Sequence, residues 1–158
     1  MSTSAEAVVD TANGVILVRD TGIDTRADQR AAAEASRIPG GRGRGRMIAA
    51  AGTVLQIRCA HQLARPRIRL EAHPNEGPYR LTVLSGRIGV DTGDGITCEL
   101  PLSPGTYRVM VEHDGRDEVQ AAARQVEAQT QYADATTTHS GWRSLDGIER
   151  FRVLLHVE

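Results

Sequence analysis

The sequence predicts a mainly β, single-domain antiparallel β-sandwich with a short N-terminal helix and a helical insertion before the last strand. Three observations lead there. From about residue 47 onward, apolar residues recur at every second position, the period of strands with one buried face. About eight such runs are separated by turn signals, among them Ser85-Gly86 and Ser103-Pro104-Gly105. The chain of 158 residues has no internal repeat, so one domain over residues 1–158 is the economical reading. A chain of that length buries a core without metal or disulfide staples.

The elements follow in order. GVILVRD, residues 14–20, is an apolar run ending in charge and reads as a strand. Residues 24–38 read as a helix: Thr25 with Asp28 resembles a capping box, and Ala27, Ala31, Ala35 and Ile38 share one face. Pro39-Gly40-Gly41 stops it and opens a Gly/Arg loop over residues 39–46. In the next strand Leu55, Ile57 and Cys59 alternate with Gln56, Arg58 and Ala60. After it, Ile68, Leu70 and Ala72 alternate with Arg67, Arg69 and Glu71. HPNEGP, residues 73–78, is a loop by its Pro, Asn and Gly content. Residues 79–115 hold four short strands, with Tyr107, Val109 and Val111 sharing one face of the last. Residues 116–149 are the insertion. Its first half is helix-like, with Val119, Ala122, Ala123, Val126 and Thr130 on a weak apolar face. Its second half, which holds Trp142, reads as a polar, turn-rich loop. The closing strand places Phe151, Val153, Leu155 and Val157 on one face.

Composition narrows function. The formal net charge is -1, so any attraction to nucleic acid or anionic membrane must come from a local patch. All 19 basic residues are arginine, each a planar bidentate fork. Cys59 and Cys98 do not form a disulfide framework, the N-terminus lacks the form of a secretory signal, and no apolar run reaches membrane-spanning length. The expectation is a cytoplasmic protein with reduced thiols and no membrane partner. Catalytic patterns are absent as well. His139 and Ser140 are adjacent rather than preorganised as base and nucleophile, and no G-x-S-x-G elbow accompanies them. Cys59 and His61 share a strand face, with Cys98, His73 and His113 as conceivable additions, but no paired zinc-ligand spacing occurs. A buried cysteine beside a packed histidine is the plainer reading. No cofactor, metal or catalytic residue is expected.

Binding candidates are clearer. Arg42, Arg44 and Arg46 alternate with glycine in IPGGRGRGRM. They fit a solvated loop, contacts to an acidic protein, or a weak and salt-sensitive nucleic-acid arm. Arg67 and Arg69, with Arg58 and Arg108, form either an outward basic strip or an ordinary charged solvent face. Trp142 and Arg143 are of the residue types enriched at interface hot spots, although a tryptophan tucked back over the sandwich edge fits equally.

LSGRIGV, then LPLSPGTYRVMVEHDGRDE, then ERFRVLLHV resembles a group of small actinobacterial β-sandwich proteins to which the inhibitor of the competence nuclease is distantly similar. The motif positions are Pro104, Gly105, Tyr107, Arg108, Val109, Gly115, Arg116 and Asp117, then Glu149, Arg150, Phe151, Leu154 and Leu155. The group's terminal Trp-Pro is His156-Val157 here. The resemblance implies a sandwich and a non-catalytic protein-binding module, most concretely an inhibitor or immunity-type partner of a nuclease or toxin-like enzyme. A structural subunit of a homo- or hetero-oligomeric assembly and a weak nucleic-acid-binding accessory protein are the alternatives. Oligomeric state is left open.

Overall fold

The computed structural model describes residues 3–11, 13–40 and 45–158. Arg42 and Arg44 lie outside the described residues. The elements are β1 (Ser4–Val8), β2 (Val15–Asp20), α1 (Arg26–Ala35), β3 (Ile48–Ala51), β4 (Val54–Arg58), β5 (Arg67–Ala72), β6 (Tyr79–Val83), β7 (Arg87–Asp91), β8 (Ile96–Pro101), β9 (Gly105–Asp114), α2 (Arg116–Thr130), α3 (Ala135–Arg143) and β10 (Arg150–Val157).

Two five-stranded sheets stack face to face, in the orders β1-β5-β10-β9-β6 and β3-β4-β2-β7-β8. Every strand pair is antiparallel except β10 with β5, which is parallel. The inner faces carry the expected alternation: Leu55 and Ile57, Ile68 and Leu70, Val109, and Phe151, Val153 and Leu155 are buried in one cluster. Val157, placed on that same face by parity, is 60% exposed at the end of the strand. Sheet edges face each other, since β1 lies against β8 and β3 against β6. The two edges on each side of the sandwich therefore shield one another.

Three local expectations are corrected. Asp28 does not close a capping box on Thr25; its carboxylate accepts from the backbone N–H and the hydroxyl of Thr53, at 2.9 and 2.6 Å, which ties α1 to the β3–β4 hairpin. The buried face of α1 is set by Ala32, and Ala27, Ala31, Ala35 and Ile38 are exposed. Alanine carries little apolar area, so the hydrogen bonds of Asp28 and Ser36 choose the face. The polar half of the insertion forms α3, capped by Asp134, which accepts from Thr137 N–H at 2.7 Å. Trp142, His139 and Ser140 thus lie on a helix rather than a loop.

One buried charge holds the sandwich's loop end together. Asp20, fully buried at the end of β2, accepts from Leu84 N–H at 2.6 Å, Ser85 N–H and Gly22 N–H at 2.9 Å each, and the Ser85 hydroxyl. Burial pushes its carboxyl up, but the bonds from Ser85, Leu84 and Gly22 outweigh this and leave it below its ordinary value. It clamps the β6–β7 turn of both sheets onto β2.

Asp20→Asn should lower the unfolding free energy by about 3 kcal/mol at neutral pH, read by denaturant unfolding. Because the folded-state value is depressed, the carboxylate's contribution is present above the ordinary carboxylate range and is lost as pH falls through the folded value. The gap between the native chain and the variant should therefore close in acid. A gap that stays constant into strong acid would assign the effect to shape rather than charge.

Candidate functional site

The outer face of the first sheet carries rows of charged side chains built on strands. Register places Glu6, Arg69, Arg152 and Glu112 side by side across β1, β5, β10 and β9. The next row holds Arg67, Arg150 and Asp114. Arginines therefore occupy the two central columns and carboxylates flank them. Ion pairs join these side chains in a zigzag: Arg67 to Glu6 at 3.1 Å, Glu6 to Arg69 at 3.6 Å, Arg69 to Glu71 at 2.8 Å, Glu71 to Arg152 at 2.5 Å and Arg152 to Glu112 at 2.7 Å. Arg150 pairs separately with Asp114 at 2.5 Å. Burial raises the Glu71 carboxyl, and the bonds from Arg152 and Arg69 more than offset this, leaving it low and ionised. The side chains border a depression of about 600 Å³. None of the three helices packs broadly on this face: α1 lies on β3 and β4, and α2 pairs with α3. Leu154, outward by parity and next to Glu71 and Met110 in register, is nonetheless buried.

A second cluster lies where the insertion meets the sandwich. Glu149 is only 2% exposed and accepts from Ala60 N–H at 2.9 Å and from Arg116 Nη1 at 2.9 Å. Burial holds its carboxyl above the ordinary range, against the opposing pull of the Ala60 N–H and Arg116. Outside this clasp, the rings of Trp142 and His61 stack with centroids 5.0 Å apart, and His61 Nε2 lies 3.3 Å from Glu127. Arg143 Nη2 donates to Leu63 O at 3.1 Å, and Nη1 lies near Asp10 and Asp146. Arg65 pairs with Asp146, whose carboxyl is held low chiefly by that bond.

The expected residues do not gather in one place. Arg67 and Arg69 lie on the open face, whereas Trp142 and Arg143 belong to the cluster where the insertion meets the sandwich. Arg46 is exposed elsewhere: its N–H donates to Ser36 O at 2.7 Å, and Ser36 Oγ accepts from Arg58 on β4 of the second sheet. Arg58 therefore does not join Arg67 and Arg69 in one strip. Arg108 lies on β9 of the first sheet, where its Nε donates to Gly77 O at 3.0 Å. The strip is not purely basic either, since acids interleave with it. Sequence reading missed Arg150, Arg152, Glu6, Glu112 and Asp114 as members of the face. The alternation of Arg150 and Arg152 in RFRVLLHV was the available signal.

Among the described residues no group of three or more His, Cys, Asp or Glu is placed to hold a metal ion. The Cys59 thiol is buried, and burial, with Glu149 adding, pushes it up to about 12. Such a thiol is a packing group rather than a nucleophile.

Cys59 should therefore resist a thiol reagent at pH 8 until the chain unfolds, with Cys98 reacting first; rapid modification of Cys59 in the folded chain would refute its placement. Glu149→Ala leaves Arg116 and the Ala60 N–H short of their acceptor. It should loosen the insertion, read as a red shift in the emission of Trp142, the sole tryptophan. Unchanged emission would separate the clasp from the helices.

No protein-family model matches the chain, and no curated protein matches it. Two solved structures are similar. The protein described as crocagin biosynthetic gene J has 14% identity and a TM-score of 0.56, with 98% of this chain and 97% of that chain covered. ComJ from Bacillus subtilis, described as inhibitor of the DNA degrading activity of NucA, has 10% identity and a TM-score of 0.49, with 98% and 95% covered. At these identities the likeness to the crocagin protein is one of fold, the two-sheet arrangement described above.

Proposed function

We propose that this chain is a non-catalytic protein-binding module that acts by covering a site on another protein. The observation that carries this reading is the bare outer face of the first sheet, where arginines paired with carboxylates stand on adjacent strands. Arginine is enriched at protein interfaces, and side chains already ordered lose less freedom on binding. The contact surface comprises Arg67 and Arg69, with Trp142 and Arg143 on the insertion as a second contact. Arg46, with Arg42 and Arg44, forms a separate contact on the Gly/Arg loop. The strand-motif resemblance makes a nuclease or toxin-like enzyme the most concrete partner, with occlusion of an acidic site as the mode of action. A protein of this kind works in the cytoplasm.

The test is capture from lysate of the source organism on immobilised chain, with and without added nuclease. The expected result is a stoichiometric protein that survives nuclease and is lost when Arg67 and Arg69, or Trp142 and Arg143, are replaced by alanine. Capture that persists with alanine at Arg42, Arg44, Arg46, Arg67, Arg69, Trp142 and Arg143 would refute the surface. A catch that vanishes with nuclease would point to nucleic acid instead.

A further inference from the structure

We infer that Arg67 and Arg150 form an anion subsite that takes one side-chain carboxylate from an acidic segment of the protein partner. The inference rests on the protein-binding reading above and names the chemistry of the contact. Parallel pairing of β5 with β10 sets Arg67 beside Arg150 and Arg69 beside Arg152. Four guanidinium groups thus form a two-by-two block on strands about 4.8 Å apart. Like charges side by side repel unless an anion lies between them.

In the lower pair that anion is built in. Glu71 directs one carboxylate oxygen to Arg69 Nε at 2.8 Å and the other to Arg152 Nη2 at 2.5 Å. The upper pair has no counterpart. Arg67 turns outward to Glu6 on β1, and Arg150 outward to Asp114 on β9. No carboxylate among the described residues stands within ion-pair distance of both. The residue two positions along β5 from Arg67, which would play the part of Glu71, is itself Arg69. Arg67 and Arg150 have side chains 47% and 58% exposed, and each guanidinium keeps donors unused by its single acid partner. A visiting carboxylate reproduces the Glu71 bridge one row higher.

The surroundings favour a single protein carboxylate over a polyanion. Four arginines and four carboxylates border the depression. A phosphate chain running across it would meet the acid columns of β1 and β9, whereas one carboxylate enters between the central columns and avoids them.

The probe is a short, end-blocked peptide with one glutamate among glycine and serine, its glutamine counterpart as control, and a thymidine oligonucleotide as the competing arm. Arginine Nε–H resonances of the full chain report binding. The glutamate peptide should shift Arg67 and Arg150 saturably and the glutamine peptide should not. Arg150→Gln, with an unchanged melting temperature, should weaken binding about tenfold. Glu71→Ala vacates the lower position and should add a second saturable site at Arg69 and Arg152. Absence of saturable shifts, equal shifts with the glutamine peptide, or tighter binding of the oligonucleotide at this pair each overturns the inference. Failed peptide binding beside intact protein capture overturns the subsite and leaves the binding-module reading in place. Saturable peptide binding with no protein captured overturns that reading and retains the subsite.

Discussion

Glu149 enters a nearly water-free position immediately before β10, and three parts of the chain meet at its carboxylate. The backbone N–H of Ala60 arrives from the end of the β4 segment, Arg116 from the first residue of α2, and Glu149 itself leads into the last strand. A lone buried carboxylate is costly, so the arrangement holds only while these donors remain in place. Gly115 completes the junction: at φ +81 it lies directly against Ile148 O, where a side chain would collide with backbone. Both ends of the insertion are thereby clasped at one point. The antiparallel neighbours β9 and β10 are joined through two helices instead of a hairpin without disturbing their register.

That clasp has a consequence for the face. With the insertion gathered at the end of the sandwich, β10 lies in the middle of the first sheet, antiparallel to β9 and parallel to β5. The parallel pairing brings Arg150 and Arg152 alongside Arg67 and Arg69. Had β10 been an edge strand, its arginines would have reached only one column of partners. The buried clasp and the exposed ion-pair zigzag are thus linked through the placement of a single strand.

Much of the architecture was legible because strand period and turn chemistry are local. The runs around Leu55, Ile68, Val109 and Val153 carry alternation strong enough to declare a buried face, and Val119, Ala123 and Val126 do the same for α2. β1 was not legible, since SAEAV has small residues where a strong strand has branched or aromatic ones, and its place comes from pairing with β5. α3 was hidden by its threonine run and Gly141, which lower helix propensity, and its signal was Asp134 as a cap. The division of Arg58 from Arg67 and Arg69 was beyond reach for another reason. All three lie on outward positions of neighbouring runs in the sequence, and only the assignment of strands to sheets separates them. The ion-pair zigzag depends on register across four strands, which no window of sequence contains.

The balance of charge on the open face bears on what it can select. Exposed ion pairs add little to stability, because water screens them and ordering long side chains costs entropy. Their effect here is on conformation: Arg69 and Arg152 are each held by two carboxylates and keep one direction. Ordering costs already met in the free protein do not recur on binding. In the proposed binding role such a surface would also discriminate, since a partner must offer carboxylates where an arginine has donors to spare and cations where an acid projects. Uniformly charged polymers fail the second condition. A folded protein surface, with both signs at fixed positions, meets both.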